Sequence, residues 1–530
     1  MGINIYNFNV DNDDYWAKQG KNIATRNLII SIPNLLLAFS VWLMWGIIIV
    51  QMKKLGFHLG LPSETSEDLK NINNLLWTLP ALAGLSGATL RIPNSFLIAI
   101  GGGRNTIFVT SVLLLIPAIG SGLALQNVNT PYFIFALLAI TSGFGGGNFA
   151  SSMSNISFFF PKRIQGSSLG LNAGLGNLGV SIMQFLIPIV IASSAFLSIT
   201  GTGTKLVEVD GVKAVGDIVY IQNAGFVWIP LLIITIIAAF FCMNNLKTAT
   251  PKLGNYTSEF SKIILLLIFG VTGAVTGAFL LKGLNLNMWA VLVITICLTL
   301  FLMKYFSPKE LRSNLDKQFV IFSNKHNWIM TIIYTMTFGS FIGYSASFPK
   351  LIQDVFGYLP DGSVNPNAPD PMKWAFIGPM LGALIRPVGG WLSDKINSGS
   401  KVTTWSTIGQ VLSALGVAYY IVQSRESATP EIYWIPFFIL FIILFIMTGI
   451  GNGSTFRSIP YIFNKEQAGP VLGWTSAIAA YGAFVIPGVF GEQIRAGHAE
   501  YALYGFTVYY LICLVLNWWY YDRKNSKIKC

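Results

Sequence analysis

The apolar positions of this chain come in long, nearly unbroken runs rather than in alternating or three-to-four-spaced patterns. Each run of about 20 residues is long enough to cross a bilayer core as a helix. The runs predict helices at roughly 28–52, 72–100, 105–126, 131–159, 166–195, 224–243, 260–282, 287–306, 327–350, 373–393, 402–423, 433–458, 467–491 and 502–521. That is about 14 spans, and an even count puts both termini on one side. The polar stretches between them are short. Residues 196–223 alternate from Lys205 to Lys213 and predict a small hairpin around Asp210-Gly211. Residues 351–372, rich in Pro, Asp, Asn and Gly, predict a loop. Residues 244–259 and 307–326 are basic, and 308–317 predicts a short surface helix.

Composition agrees with the pattern. The 530 residues are 53% hydrophobic and 11% charged, against about 25% charged in soluble domains. The fold class is therefore an all-α polytopic membrane protein whose partner is the lipid bilayer. The net charge of +12 does not point to nucleic acid. With the N-terminus inside, about 21 of the 34 basic residues fall on inside segments, which is the positive-inside bias. This places both termini in the cytoplasm of a multi-pass inner or plasma membrane protein. Residues 1–26 carry Asp11, Asp13 and Asp14 and do not read as a secretory signal. The four cysteines and three histidines have no metal-site spacing, so no metal and no cofactor is expected.

Internal symmetry organises the spans. The second span reads Pro80-Ala-Leu-Ala-Gly-Leu-Ser-Gly-Ala-Thr-Leu-Arg91-Ile-Pro93, and the tenth Pro379-Met-Leu-Gly-Ala-Leu-Ile-Arg386-Pro387. Gly143-Phe-Gly-Gly-Gly-Asn-Phe149 in the fourth is matched by Gly449-Ile-Gly-Asn-Gly-Ser-Thr-Phe456 in the twelfth. The register holds only if the spans at 260–282 and 287–306 are an insertion between two six-helix halves. Repeated halves with a midplane site are how many secondary transporters are built. The expected organisation is a cytoplasmic segment 1–26, a half at 27–246, a linker with two extra helices at 247–325, a half at 326–522 and a basic tail at 523–530.

Arg91 and Arg386 carry the chemistry. Each lies in an apolar run with no acidic residue, where a charge costs roughly 2.5–3.5 kcal/mol on insertion scales. Either each arginine snorkels to an interface or satisfies backbone carbonyls freed by its prolines, or the two form a pair of guanidinium forks around one small anion. Their equivalent places in the repeat favour the pair. Most glycines in Gly170-Leu-Asn-Ala-Gly174-Leu-Gly176-Asn177-Leu-Gly179 read as helix packing. Gly174, Gly176, Gly179, Gly451 and Gly453 are the packing and gating candidates. Asn177 is a candidate donor to an oxyanion; Asn148, Asn155 and Asn172 are weaker ones. Phe149 alone reads as packing, whereas Tyr334 and Phe338, four apart, share a helix face. Asp394, with Lys395, reads equally as a gate and as a solvated helix end. No Asp, Glu or His lies in the middle of a span, which argues against an embedded proton relay.

At these residues the chain resembles the nitrate/nitrite porter family of the major facilitator superfamily. The likeness runs from Trp16 and Ile23-Ala-Thr-Arg-Asn-Leu28 through Leu90-Arg91-Ile-Pro93, Asn148-Phe149-Ala-Ser-Ser-Met-Ser-Asn155 and the glycine run around Asn177. It resumes at Thr337-Phe338-Gly, Gly378–Arg386, Gly389-Gly-Trp-Leu-Ser-Asp394 and Gly449–Phe456. The resemblance implies a major facilitator fold working by alternating access, and no enzyme. It implies arginines at Arg91 and Arg386 that bind the anion, Phe149 and Phe338 that sandwich it, and Tyr334 and Asn177 that hydrogen-bond it. Ala173, Arg457 and the insertion at 253–325 depart from the family pattern.

The expected function is nitrate/nitrite antiport. Proton-coupled nitrate import and transport of another small oxyanion are the alternatives. A membrane enzyme is the alternative class, but no acidic metal motif or nucleophile–base cluster supports it. The small anion and the lipid are the expected partners, with oligomeric state left open and a monomer sufficient.

Overall fold

The computed structural model describes residues 4–63, 65–194, 201–208, 213–363 and 365–530. Thirteen helices among them are long and apolar enough to cross a membrane. In chain order they are α1 Asp13–Lys54, α2 Glu67–Asn94, α3 Gly103–Ala124, α4 Tyr132–Ser157, α5 Lys162–Ala192, α6 Asn223–Cys242, α7 Tyr256–Lys282 and α8 Met288–Tyr305. After α9 Lys325–Phe356 and one interrupted helix come α11 Gly399–Arg425, α12 Pro430–Ile462, α13 Lys465–Arg495 and α14 Glu500–Asp522.

The interrupted helix is the expected tenth span. Here α10 consists of Pro371–Trp374, Ile377–Leu384 and Arg386–Lys395. Pro387 has no N–H and its ring presses on the carbonyl one turn back, so the helix breaks at Ile385. Bonds from Ile385 N to Leu381 O and from Gly389 N to Ile385 O, both 3.0 Å, keep the pieces in line. Arg386 stands at this break.

Local chemistry sets the helix ends. Asn12 caps α1 by accepting from Tyr15 N, so the helix begins at Asp13 rather than near residue 28. Thr65 and Asp68 form a capping box at α2. Asn255 and Asn464 cap α7 and α13. The surface helix expected at 308–317 is present at Lys309–Phe319.

Strand structure is minor. The hairpin expected near Asp210-Gly211 appears as β2 Thr204–Lys205 pairing antiparallel with β3 Ile218–Val219; its turn lies outside the described residues. A parallel pair joins β1 Asn4–Ile5 to β4 Asn245–Leu246. No sequence pattern announced that pair, since two residues are too few to carry a period.

Both termini meet the same face. Asp11 approaches Lys465 at 3.6 Å, Arg163 pairs with Asp13 at 2.6 Å, and Ser400 N donates to the Cys530 carbonyl at 3.1 Å. In chain order α7 and α8 stand between two sets of six helices, α1–α6 and α9–α14, called the two halves below. The halves touch along two seams. At one, α5 meets α10: a Cβ on Gly170 would stand 3.0 Å from the Arg386 carbonyl oxygen. At the other, α2 meets α13: a Cβ on Gly473 would stand 2.6 Å from Ser95 Cα.

Candidate anion-binding site

Arg91 on α2 and Arg386 on α10 converge from opposite halves on one aromatic wall. Both are fully buried. The Arg91 guanidinium carbon lies 4.6 Å from the Phe149 ring centre and 4.8 Å from that of Phe338. The Arg386 guanidinium lies 5.4 Å from Phe338 and 4.0 Å from Phe341. Touching the same ring puts the two charges within about 10 Å. At an effective dielectric of about 20 they repel by about 1.7 kcal/mol or more.

Their hydrogen bonding differs. Arg91 donates through Nε to the Gly146 carbonyl (2.7 Å) and through Nη1 to the Ser476 carbonyl (3.2 Å), while Nη2 has no partner. Among the described residues, Arg386 has none at Nε, Nη1 or Nη2. Buried donors left unpaired cost about 1–3 kcal/mol each, and more when charged. The carbonyl-satisfying reading therefore holds for part of Arg91 and for none of Arg386.

Phe149 and Phe338 stack across the halves, with centroids 5.1 Å apart and planes 13° from parallel. Tyr334 lies 5.9 Å from Phe338 on the same α9 face. Directly after Tyr334, α9 carries a π-turn, Thr335–Gly339, that includes Phe338, a distortion frequent at functional sites. The buried Tyr334 hydroxyl faces the side chain of Asn452, the neighbour nearest to pairing with it, and the two polar groups stand together at the wall.

Asn177 is buried on α5. One amide N–H donates to the Ala173 carbonyl at 2.6 Å and its oxygen has no partner, so the second N–H is its available donor. The weaker asparagines serve elsewhere. Asn148 accepts from Thr110 at 3.2 Å and Asn172 donates to Ser152 at 2.9 Å. Asn155 packs on Gly103.

The glycines position Arg386. A Cβ on Gly174 would meet the Ala383 carbonyl at 2.7 Å and Pro387 at 2.9 Å. A Cβ on Gly453 would overlap the Arg386 carbonyl and stand 2.7 Å from Gly390 N. Thus α5 and α12 grip the α10 backbone from both sides. Gly176 and Gly179 instead pack on Leu35 and Leu36 of α1, and Gly451 on Ser406 and Thr337.

Asp394 is not a solvated helix end. Its Oδ2 accepts from Ser167 N (2.8 Å) and Ser167 Oγ (2.6 Å) on α5, and its Oδ1 lies 3.4 Å from Arg457 Nε. Arg457 also donates to Asn397 and covers Tyr461 at 3.5 Å. One largely enclosed carboxylate thus ties α5, α10 and α12 together. Removing one partner of a buried pair costs about 3–5 kcal/mol because the other stays charged and unpaired. Asp394→Asn is expected to lower the thermal unfolding midpoint in detergent. Adding Arg457→Met is expected to recover most of that loss.

Sequence reasoning missed Asn452, Phe341, Trp42 and Phe39. Trp42 and Phe39 stand 5.2 and 5.7 Å from the Arg91 guanidinium. A signal existed for Asn452, the one amide in Gly449–Phe456, and for Phe341, three residues after Phe338. The α1 aromatics had none, because an aromatic in an apolar run ordinarily reads as packing.

Thirteen spans among the described residues, with the interrupted α10 beside them, are the helix complement of a polytopic carrier of the major facilitator class. The Major Facilitator Superfamily profile matches residues 10–184. Solved structures of similar fold include the proton:xylose symporter XylE bound to 6-bromo-6-deoxy-D-glucose (TM-score 0.60, 13% identity, 94% of this chain and 96% of that one). The human organic anion transporter MFSD10 is another (TM-score 0.53, 13% identity, 94% and 99%). Among curated relatives, the probable nitrate/nitrite antiporter NarK2 of Thermus thermophilus is 36% identical over 96% of this chain and 95% of its own. The nitrate/nitrite transporter NarU of Escherichia coli strain K12 is 34% identical over 98% and 96%. The chain belongs to the nitrate/nitrite porter family of the major facilitator superfamily.

Proposed function

We propose that this protein exchanges nitrate for nitrite across the plasma membrane by alternating access, with both termini in the cytoplasm. The basic residues concentrated on the terminal face support that orientation. The observation that carries the chemistry is Arg386, a buried guanidinium with all three nitrogens unpartnered. An oxyanion accepts from such a fork in its own plane. Arg91 Nη2 supplies a donor from the other half, and Tyr334 and Asn177 supply neutral ones.

A planar ion sandwiched by phenyl faces needs each face at about 3.5 Å, a gap of about 7 Å. Phe149 and Phe338 stand 5.1 Å apart. They therefore separate by about 2 Å as the ion enters, and because they belong to different halves that parting accompanies rocking of the halves. Without an anion the two arginines repel and oppose closure. With one between them the repulsion is screened, so the loaded carrier reorients readily and the empty one does not. This coupling is what makes an exchanger.

Nitrite-loaded proteoliposomes test the reading. Nitrate uptake is expected to require internal nitrite and to be indifferent to an imposed pH gradient. Uptake into nitrite-free vesicles driven by that gradient would establish proton symport instead. Tyr334→Phe removes a hydrogen bond to a charged ligand and little else. It is expected to weaken equilibrium nitrate binding by about tenfold or more without lowering thermal stability.

A further inference from the structure

The inserted pair α7–α8 has no counterpart in a six-plus-six bundle, and neither helix carries a charge in its middle. Its packing is specific nonetheless. A stripe of glycines on α7 admits α2 and α8. A Cβ on Gly270 would stand 2.8 Å from Leu90 and 3.0 Å from Pro93, the neighbourhood of Arg91. A Cβ on Gly273 would overlap the Thr299 hydroxyl and come within 3.2 Å of Thr89. A Cβ on Gly277 would stand 2.7 Å from Thr295 and 3.0 Å from Leu85. The pair therefore lies along the substrate-site helix of the first half.

It also reaches the second half. Met288, at the start of α8, lies over Gly488 of α13, where a Cβ would meet its sulfur at 2.9 Å. About two turns back along α13, the Tyr481 hydroxyl shares a 3.0 Å hydrogen bond with Thr89 and lies beside Thr295 of α8. Tyr481 is buried and stands where α13 is interrupted, between Lys465–Ala480 and Gly482–Arg495. Three helices from three parts of the chain thus meet at one hydroxyl, whose partner Thr89 is two residues from Arg91. Polar contacts in lipid hold helices together because no water competes for the donors.

The far end of the insertion is anchored too. The Lys309–Phe319 helix donates from Asn314 to the Ala99 carbonyl and from Gln318 to the Phe96 carbonyl, both at 3.1 Å. Lys262 at the base of α7 reaches Glu259 at 3.2 Å and Glu310 at 3.8 Å. The pair is tied to the terminal face of the first half and to the opposite end of the seam with the second.

We propose that α7 and α8 are a lateral clamp across the α2–α13 seam, pinned at Tyr481, that holds the seam shut on the face away from the termini. It sets the balance between the two access states without touching the anion. The clamp explains why an insertion without pathway charges is built into the side of the bundle next to Arg91 rather than trailing from it.

Tyr481→Phe and Thr295→Val keep the packing volume and remove one hydroxyl each. In a background with Cys242, Cys297, Cys513 and Cys530 replaced, Ala483→Cys reports the seam, because the Ala483 carbonyl stands 3.2 Å from where a Cβ on Gly84 of α2 would lie. A membrane-impermeant maleimide applied from the face away from the termini is expected to label that cysteine at least about threefold faster in either hydroxyl variant. Exchange turnover is expected to change by a similar factor, with nitrate affinity within about twofold of the parent. The labelling arm needs no transported ion, so it stands or falls apart from the nitrate reading. Parental labelling and turnover in both variants would overturn the clamp. Loss of nitrate binding in step with turnover would overturn it too, by making Tyr481 part of the anion site.

Discussion

Arg386→Lys is expected to leave a folded protein that no longer exchanges anions, with initial rates down by at least about 100-fold. The guanidinium presents five N–H groups in one plane, and here none of its nitrogens has a protein partner. A lysine ammonium is a compact point charge on a flexible stem and cannot copy a bidentate fork. It also loses the stacking of the guanidinium on Phe341 at 4.0 Å. Because Arg386 donates to no protein carbonyl, the substitution breaks no internal hydrogen bond. Thermal stability without nitrate is expected to hold, and the stabilisation produced by added nitrate is expected to vanish. Arg91→Lys is expected to be equally inactive but less stable, since it also severs the bonds to Gly146 and Ser476. The checks are exchange rates in proteoliposomes and unfolding midpoints with and without nitrate. Near-parental exchange in Arg386→Lys would make that arginine structural.

Gly453→Val is expected to abolish exchange by a different route. Its Cβ would overlap the Arg386 carbonyl, and the two γ-carbons have no space between α12 and α10. Over-packing a close helix contact costs about 1–3 kcal/mol, and more where the obstacle is backbone that cannot rotate away. The strain falls on Arg386, the residue proposed to present the anion-binding fork, so a small shift misplaces it relative to Phe338 and Tyr334. The expected result is a lowered unfolding midpoint together with lost nitrate binding. Gly453→Ala is expected to fall between the two. Gly505 on α14 provides the contrast, because a Cβ there meets nothing within 4 Å. Gly505→Ala is expected to change neither property.

Much of this architecture is legible in the sequence. The bilayer demands apolar runs of about 20 residues, so spans declare themselves. A charge in such a run is costly enough that Arg91 and Arg386 stand out on cost alone. The repeat then pairs them. Legibility fades wherever the decisive fact is a neighbour from elsewhere in the chain. Asp394 looked equally like a gate and a solvated end until Ser167 and Arg457, 227 and 63 positions away, stood against it. Tyr481 looked like one aromatic among 20 tyrosines, because its meaning lies in Thr89 and Thr295. The inserted helices looked like a passive linker because they lack charges, and hydroxyls and glycines make contacts that no periodicity announces. Asn452 was visible but unranked, since one amide between glycines reads as packing until Tyr334 lies beside it.

The central claim is that the anion is the counterion that lets two opposed arginines close, so that empty carriers do not reorient. Efflux tests it most directly. Vesicles containing the protein are loaded with isotopically labelled nitrate and diluted into anion-free buffer or into buffer with nitrite, with pH and membrane potential clamped. The account predicts that efflux is at least about tenfold faster with nitrite outside, and that dilution into anion-free buffer releases label at little more than the rate of protein-free vesicles. Equal, protein-dependent efflux into both buffers would show that the empty carrier crosses freely, and would contradict it.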